Sequence, residues 1–206
     1  MTALLVFAKA PVRGTVKTRL AATLGEARAL VAYQSLLATT LACAAAARAA
    51  GIVATVDVWS APEHATETLA TLAASHAFAH RVQHGDDLGA RMAHAIADAL
   101  QRAPRVLLVG TDCPVLTTTY LADAEASLHA HDAVLGPAED GGYVLVGART
   151  PLHFAGVRWS SPHACADTEA AFAAQGASVA RLPALWDVDD AAGLARWERM
   201  QAAGRT

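Results

Sequence analysis

Cysteine is scarce in this chain of 206 residues, and the three that occur, Cys43, Cys113 and Cys165, form no CxxC pair. This spacing argues against a disulfide framework and against a zinc site built on paired cysteines. An odd number of thiols suits a reducing compartment. The cysteine pattern therefore predicts free thiols and a cytoplasmic protein.

The sequence also lacks a long apolar run near its start. Lys9 and Pro11 interrupt the first apolar segment, residues 4–8, too early for a signal-peptide core or a membrane span. The alanine-rich residues 41–47 favour a helix packed inside a protein. We therefore expect no membrane partner.

Extended basic runs, nucleotide-binding fingerprints and internal repeats are all missing. The net charge of −3 argues against a broad nucleic-acid interface, and neither GxxxxGK[ST] nor GxGxxG occurs. With 54% hydrophobic and 17% charged residues, and no linker, the composition predicts a single globular domain over residues 1–206.

What the chain does contain is an alternation of short apolar runs and helical spacings. Apolar residues recur at Leu30, Tyr33, Leu37 and Leu41, which predicts a long helix packed on a sheet. The alternation predicts an α/β fold of three layers, α/β/α, around a mainly parallel sheet. The predicted strands cover residues 3–8, 52–59, 81–83, 106–109, 132–137, 144–147 and 178–182, and the helices 26–50, 63–75, 92–102, 118–129, 163–175 and 191–203.

A lone carboxylate follows the most apolar of these strands. Residues 106–109 are four branched apolar residues in a row, and Asp112 comes just after them. Because ligands bind at the carboxyl ends of strands in open α/β sheets, Asp112 is well placed to bind a cation or a substrate hydroxyl. The alternative is that Asp112 caps a turn before Pro114.

A basic loop follows the first strand. Residues 9–19 contain four cations, Lys9, Arg13, Lys17 and Arg19, with Gly14 between them. A glycine-bearing loop after a strand can surround phosphate oxygens with backbone N–H groups and neutralise them with its side chains. The alternative is a solvated basic turn.

Three further segments carry polar groups that could serve a site. Residues 84–92 form a polar, glycine-bearing junction, and residues 138–143 form an acidic turn whose alternative interpretation is a plain hairpin turn. Near the end of the chain, Asp190 can cap the last helix and Asp189 can favour its positive end. Asp187 has no such structural role.

Taken together, these motifs resemble the glycosyltransferases of the arsenosugar-biosynthesis type, also called radical-SAM/selenodomain-associated transferases. The resemblance is collinear over nearly the whole chain. It rests on Phe7-Ala8-Lys9-Ala10-Pro11 with Gly14 and Val16-Lys17-Thr18-Arg19-Leu20, on Asp87-Leu88-Gly89-Ala90-Arg91-Met92, on Gly110-Thr111-Asp112-Cys113-Pro114, on residues 136–143, and on Asp187-Val188-Asp189. It implies a GT-A, Rossmann-like fold of the nucleotide-diphospho-sugar transferase group and a divalent cation, Mg²⁺ or Mn²⁺.

The resemblance also implies roles for individual residues. Asp112 would hold the metal, Asp187 would be a second acidic group that binds the metal or lies on the phosphate side, and Asp140 would be the general base. The nucleotide would contact Lys9, Gly14, Lys17, Arg19, Asp87, Gly89 and Arg91. The acceptor would lie near Glu139, Gly141, Gly142, Tyr143 and Trp159, although a tryptophan is more often a core residue.

The chain departs from the family pattern at two places. Arg13 stands where this motif often has proline, and Cys113 follows Asp112 in place of the Asp-x-Asp pair of many GT-A enzymes. A single carboxylate binds Mg²⁺ weakly, so we expect the phosphates of the nucleotide to complete the metal shell. Cys113 itself is expected to be a buried thiol, since no histidine lies near it in the sequence to activate it.

The resemblance and the residues that carry it predict a metal-assisted transfer of a sugar from a nucleotide-diphosphate donor to the hydroxyl of a small acceptor. One alternative is a nucleotidyltransferase that uses an NTP, because residues 17–20 and the long helix after them also resemble 2-phospho-lactate guanylyltransferases. Another alternative is a nucleotide-binding module without catalysis.

Overall fold

The computed structural model describes residues 1–61 and 67–203. Within them lie the strands β1 (Thr2–Ala8), β2 (Thr55–Ser60), β3 (Ala79–Val82), β4 (Arg105–Val109), β5 (Ala133–Pro137), β6 (Tyr143–Ala148) and β7 (Val179–Arg181). The helices are α1 (Thr18–Leu24), α2 (Glu26–Ala49), α3 (Glu67–Ser75), α4 (Leu88–Leu100), α5 (Thr118–Ser127), α6 (Ala164–Ala174) and α7 (Ala191–Ala203). The first four positions of the helix predicted over 63–75 lie outside the described residues.

All the strands belong to one sheet, in the order β3-β2-β1-β4-β6-β5-β7. The pairs β3–β2, β2–β1, β1–β4 and β5–β7 are parallel, whereas β6 runs antiparallel to both β4 and β5. The predicted mainly parallel α/β fold is confirmed. The antiparallel strand arises because β5 and β6 form a hairpin whose second strand pairs with β4.

Helices cover both faces of the sheet, which buries the apolar strands as predicted. One face packs against α2, α3 and α5, with Leu37 and Leu121 among the buried contacts. The other face packs against α4 and α6, with Ile96 and Phe172 among them. The chain leads from β1 to β2 on one side and from β4 to β5 on the other, so the switch point of the sheet lies between the adjacent strands β1 and β4.

Helix α2 is long and apolar enough, by length and composition, to cross a membrane, and 44% of its most apolar stretch is buried inside the protein. Its predicted face is confirmed, because Tyr33, Leu37 and Leu41 are buried on the sheet. A second side of the helix, at Ala32 and Leu36, packs against the C-terminal helix. These contacts account for its apolar composition.

The basic loop is shorter than the sequence predicts. Thr18 and Arg19, predicted as part of the basic loop, already belong to helix α1. Gly25 then separates α1 from α2. Gly25 has a φ of 83°, a conformation that glycine adopts without strain. Leu20 is fully buried against α2 and the C-terminal segment, which explains why this short helix forms.

Candidate active site at the carboxyl end of the sheet

A cleft of about 760 Å³ opens at the carboxyl ends of β1 and β4. Its walls come from the basic loop, from the segment after β4, from the start of β6 and from residues 159–162. Most of the residues predicted for a site line it, namely Lys9, Lys17, Arg19, Arg91, Asp112, Asp140, Gly142, Tyr143 and Trp159. The cleft has the position expected for a ligand site in an open α/β sheet.

Lys17 lies at the centre of one end of the cleft. Its Nζ is 2.7 Å from Asp112 Oδ1 and 3.0 Å from Asp189 Oδ1, and its side chain is only 5% exposed. Arg19 Nη1 lies 3.6 Å from Asp189 Oδ2. These residues, together with Asp187, whose charge acts on the same group but which does not line the cleft, are called the charged end of the cleft.

The backbone makes these ion pairs possible. Lys17 has a left-handed conformation, φ 49° and ψ 49°, which is strained for a residue with a side chain and turns the chain into α1. On the other side, Val188 N–H donates to the Asp112 carbonyl at 2.9 Å. This hydrogen bond attaches the segment of Asp187 and Asp189 to the end of β4.

Asp187 is a half-buried carboxyl among other carboxylates. Burial is the largest cause that raises its pKa, to about 6, and the charges of Asp140, Asp189 and Asp112 raise it further, whereas Lys17 lowers it. The charged end therefore contains more negative charge than Lys17 neutralises. The charge of Asp112 thus acts on Asp187, although the two are distant in sequence and Asp187 itself does not line the cleft.

These carboxylates supply the oxygen ligands that Mg²⁺ and Mn²⁺ prefer. In the part of the chain that the structure describes, no three histidine, cysteine or acidic side chains are grouped closely enough to hold a metal ion by themselves. The donor set, with its excess of negative charge, therefore fits a divalent cation only together with oxygens from a ligand.

The acidic turn between β5 and β6 reaches the cleft through Asp140. Asp140 Oδ1 accepts the Gly142 N–H at 2.8 Å, which fixes the direction of the carboxylate. Gly141 has a φ of 89°, and a Cβ there would lie 2.1 Å from the Pro162 carbonyl oxygen, so only glycine lets the two loops approach. Glu139 instead binds Arg196 at 2.7 and 3.1 Å, outside the residues that line the cleft.

Two further aromatic rings, Tyr143 and Trp159, also line the cleft. The Trp159 ring lies 6.5 Å from Tyr143 and 6.0 Å from Phe154, measured between centroids. A Cβ at Gly89 would lie 2.9 Å from both Trp159 Cζ2 and Phe154 Cβ, so the missing side chain makes room for the tryptophan. We call Tyr143 and Trp159, with Phe154, which contacts Trp159 without lining the cleft, the aromatic wall.

Three residues predicted to contact the nucleotide have local contacts of their own. Asp87 caps α4, because its Oδ1 accepts the Ala90 N–H at 2.7 Å, and it does not line the cleft. Gly14 has a φ of 81° and shapes the basic loop away from the cleft lining. Arg91 lines the cleft, and its Nε donates to the Gly85 carbonyl at 3.1 Å.

The structure adds residues that the sequence did not single out. Tyr33, predicted only as a core residue of α2, lines the cleft, as do Gln83 and Thr111. Asp189 binds Lys17 and Arg19, although we expected it to serve the positive end of the last helix. Asp190 does serve that end, since its Oδ1 accepts the Gly193 N–H at 2.8 Å as predicted.

Cys113 is a buried thiol, as expected. Burial is the main cause that raises its pKa to about 11, so the thiol is not ionised near neutral pH. It packs in the core beneath the cleft, and it does not line the cleft. The segment after β4 thus presents Thr111 and Asp112, and not Cys113, to a ligand.

Comparison with solved structures gives a consistent picture of the fold. A protein of Desulfovibrio desulfuricans G20, provisionally classed as a nucleotide-diphospho-sugar transferase, is 31% identical and superposes with a TM-score of 0.80 over 92% of this chain and 82% of its own. CMP:2-keto-3-deoxy-manno-octonic acid synthetase complexed with CTP is 10% identical, with a TM-score of 0.61 over 98% and 99% of the two chains.

A Mycobacterium tuberculosis H37Rv protein solved with manganese is 20% identical, with a TM-score of 0.51 over 95% of this chain and 96% of its own. At these low identities the last two structures support the fold alone. No protein of curated function matches the sequence.

The sequence also matches a family model. This model describes an uncharacterized protein conserved in bacteria, DUF2064, and matches residues 21–161, well over half of the chain. The match includes the cleft-lining segments after β3, β4 and β5. By this match and by its likeness to the Desulfovibrio protein, the chain belongs to the DUF2064 family and has the GT-A, Rossmann-like fold of the nucleotide-diphospho-sugar transferases.

Proposed function

We propose that this transferase moves a sugar from a nucleotide-diphosphate donor to a hydroxyl of a small acceptor, as a glycosyltransferase of the arsenosugar-biosynthesis type. The observation that carries the proposal is the charged end of the cleft. There a buried lysine and two flanking carboxylates, Asp112 and Asp189, meet where β1 and β4 end. Such an arrangement suits a ligand that brings both phosphate oxygens and a cation.

The chemical need in this reaction is to stabilise the leaving diphosphate. Negative charge grows on its oxygens as the sugar–phosphate bond breaks, and fixed cations aimed at that charge lower the barrier. Lys17 and Arg19 line the cleft and can supply positive charge there. A divalent cation bound by Asp112 and Asp187 would add Lewis-acid stabilisation of the same oxygens.

Lys17 must change partners in order to act in this way. In the structure its ammonium group is shared by Asp112 and Asp189, at 2.7 and 3.0 Å. A cation on the carboxylates would neutralise them and release Lys17 toward the phosphates. Metal and nucleotide binding are therefore expected to be mutually dependent, so that each ligand strengthens the binding of the other.

Asp140 is the proposed general base. It lines the cleft, and its Oδ1 is held by the Gly142 N–H, so its orientation does not depend on a ligand. It lines the same cleft as Lys17, Tyr143 and Trp159, so an acceptor bound there could give up its hydroxyl proton to this carboxylate. Trp159 and Tyr143 would contact that acceptor.

The relatives give further support. The Mycobacterium protein was solved with manganese and the synthetase with CTP, so this fold accepts both kinds of ligand in other proteins. A single domain over residues 1–206 and a cytoplasmic location stay predictions of the sequence. The proposed partners are small molecules, namely the nucleotide and the acceptor.

A nucleotidyltransferase is the second candidate. It is favoured by the fold shared with the CMP synthetase. A Bacillus anthracis protein provisionally classed as a glucose-1-phosphate thymidylyltransferase has the same fold, with 11% identity and a TM-score of 0.61 over 97% of this chain and 95% of its own. In this case Lys17 and Arg19 would bind an NTP. Pyrophosphate would leave as a substrate phosphate attacked the α-phosphate.

A thermal-shift panel of nucleotide sugars, nucleoside diphosphates and NTPs, with and without Mg²⁺ or Mn²⁺, separates the two candidates. A ligand that binds only the folded protein raises the melting temperature by mass action. We expect the largest shift from a nucleotide sugar with metal, and transfer assays with that donor should release a nucleoside diphosphate. Stabilisation by NTPs alone, with pyrophosphate release, would support the second candidate. No shift by any nucleotide would contradict both.

A further inference from the structure

The hydroxyl of Tyr33 makes two hydrogen bonds to a single residue of the basic loop. It accepts the Lys9 backbone N–H at 2.8 Å and donates to the Lys9 carbonyl oxygen at 2.7 Å. Tyr33 is only 3% exposed, it belongs to α2, and it lines the cleft. The Tyr33 side chain thus binds both backbone polar groups, N–H and C=O, of Lys9, the first residue after β1.

This contact lies where two neighbouring strands separate. The pairing of β1 with β4 ends at Val6 and Val109, while β1 continues beside β2 as far as Ala8. Lys9 therefore has no partner from β4, and its backbone N–H and C=O are hydrogen-bonded to the buried Tyr33 hydroxyl instead. The Tyr33 hydroxyl thus takes the place of a strand partner at the point where β1 and β4 separate.

The same hydroxyl faces the segment that carries Asp112. Burial raises the pKa of Tyr33 to about 12, against the opposing effects of the Thr111 side chain and the Lys9 backbone, while the charge of Asp112 raises it further. The hydroxyl therefore keeps its proton near neutral pH and can donate to Lys9. Thr111, which follows β4, and Lys9, which follows β1, thus both lie close to the buried Tyr33 hydroxyl.

We infer that Tyr33 is a positioning residue for the nucleotide site, because its hydroxyl fixes the Lys9 backbone relative to the segment of Thr111 and Asp112. The inference rests on the proposed function. It also has a consequence for the phosphates. The Lys9 N–H already donates to Tyr33, so Lys9 serves the nucleotide through its side chain and not through its backbone.

The chain offers a matched control in Tyr120. This tyrosine is 7% exposed and packs in the same core cluster, and its hydroxyl donates to the Pro183 carbonyl at 2.9 Å. It does not line the cleft. Tyr33→Phe and Tyr120→Phe therefore each remove one buried, hydrogen-bonded hydroxyl, but only the first lies beside the nucleotide site.

The experiment measures nucleotide affinity by calorimetry in the full chain with Mg²⁺, using whichever of UDP, GDP, ADP, CDP and dTDP raises the melting temperature most. Hydrogen exchange of the Lys9 amide is measured in the free protein. Both variants are expected to lose similar stability. Tyr33→Phe should weaken nucleotide binding about tenfold, or ~1.4 kcal/mol, and accelerate exchange at Lys9, whereas Tyr120→Phe should do neither.

Equal affinities of Tyr33→Phe and the wild type would overturn the inference while leaving the proposed function intact. An equal loss in both variants would also overturn it, because the effect would then follow stability alone. If the wild type bound none of the five diphosphates, the proposed function would fail at that step, and the positioning role would fail with it.

Discussion

The two sides of the cleft are built in different ways. The charged end joins Lys17 to Asp112 and Asp189, which are far apart in the sequence, through ion pairs that a ligand can replace. The aromatic wall is held by shape, because Trp159 occupies the space left by the absent side chain of Gly89. We therefore expect the charged end to rearrange when a ligand binds, and the aromatic wall to keep its present arrangement.

The largest effect should come from Asp112→Ala. Loss of this carboxylate removes a proposed metal ligand and one partner of Lys17, so we expect transfer to fall about 10³-fold or more while the fold persists. Initial rates with saturating donor and metal test this, with circular dichroism as the check on folding. Asp123→Ala, which removes an exposed carboxylate of α5, is the control and should keep normal rates. Full metal-dependent activity in Asp112→Ala would remove the metal role.

Lys17→Ala should have the next largest effect. A charge-assisted contact to phosphate is worth about 1.5–3 kcal/mol, so nucleotide affinity measured by calorimetry should fall about tenfold to a hundredfold. Arg13 lies in the same loop but pairs with Glu26 at 3.1 Å, outside the cleft lining. Arg13→Ala should therefore bind normally, and similar losses in both variants would indicate a nonspecific charge effect.

Gly89→Ala tests whether the aromatic wall is held by its packing on Gly89. The added methyl group would meet Trp159 and Phe154 at 2.9 Å, and such overpacking costs about 1–3 kcal/mol of stability. Denaturant unfolding should show this loss, whereas nucleotide affinity should stay within about twofold. Gly110→Ala, where a Cβ meets open space, is the control for stability. A large loss of nucleotide affinity in Gly89→Ala would place this glycine on the nucleotide side, as the sequence resemblance implies.

The smallest expected effect is the pH-dependent contribution of Asp187 to the stability of the metal-free protein. Its pKa of about 6 lies above that of an unfolded carboxyl, so its contribution to stability is present at acid pH and is lost as the pH rises through 6. Asp187→Asn should therefore raise the melting temperature by about 2–4 °C at pH 7.5, with less gain toward pH 4.

Melting curves in a chelator test this prediction. Asp190→Asn is the control, since asparagine also caps helices well and the α7 cap should survive. A gain in Asp187→Asn that did not change between pH 4 and pH 7.5 would show that the carboxyl is not destabilised by its neighbours.

The sequence predicted most of the fold because periodicity reports which residues are buried. The buried face of α2 and the start of α7 at Ala191 are confirmed. Periodicity carries no information on pairing, so it did not show that β6 inserts antiparallel between β4 and β5. Helix α1 was missed because tertiary contacts of Leu20 stabilise it more than its seven residues could alone.

Parts of the candidate site were predictable from charged residues that follow predicted strands. Asp112 and Lys17 follow strand ends, and the structure brings them into contact. Asp189 was misinterpreted because its position before a helix suggested a local role, whereas its partner lies 172 residues away. Tyr33 gave no signal, since a tyrosine on an apolar helix face looks like any core residue.

The hydrogen bond from Val188 to the Asp112 carbonyl has a consequence for biosynthesis. A ribosome adds Asp187 and Asp189 only after every strand of the sheet has been made, so a nascent chain can form the basic loop and β4 before the charged end exists. Until then Lys17 and Asp112 lack the segment that completes their site. Ligand binding should thus report on late folding, and fragments released before residue 187 should fold much of the sheet without acquiring affinity for nucleotide and metal.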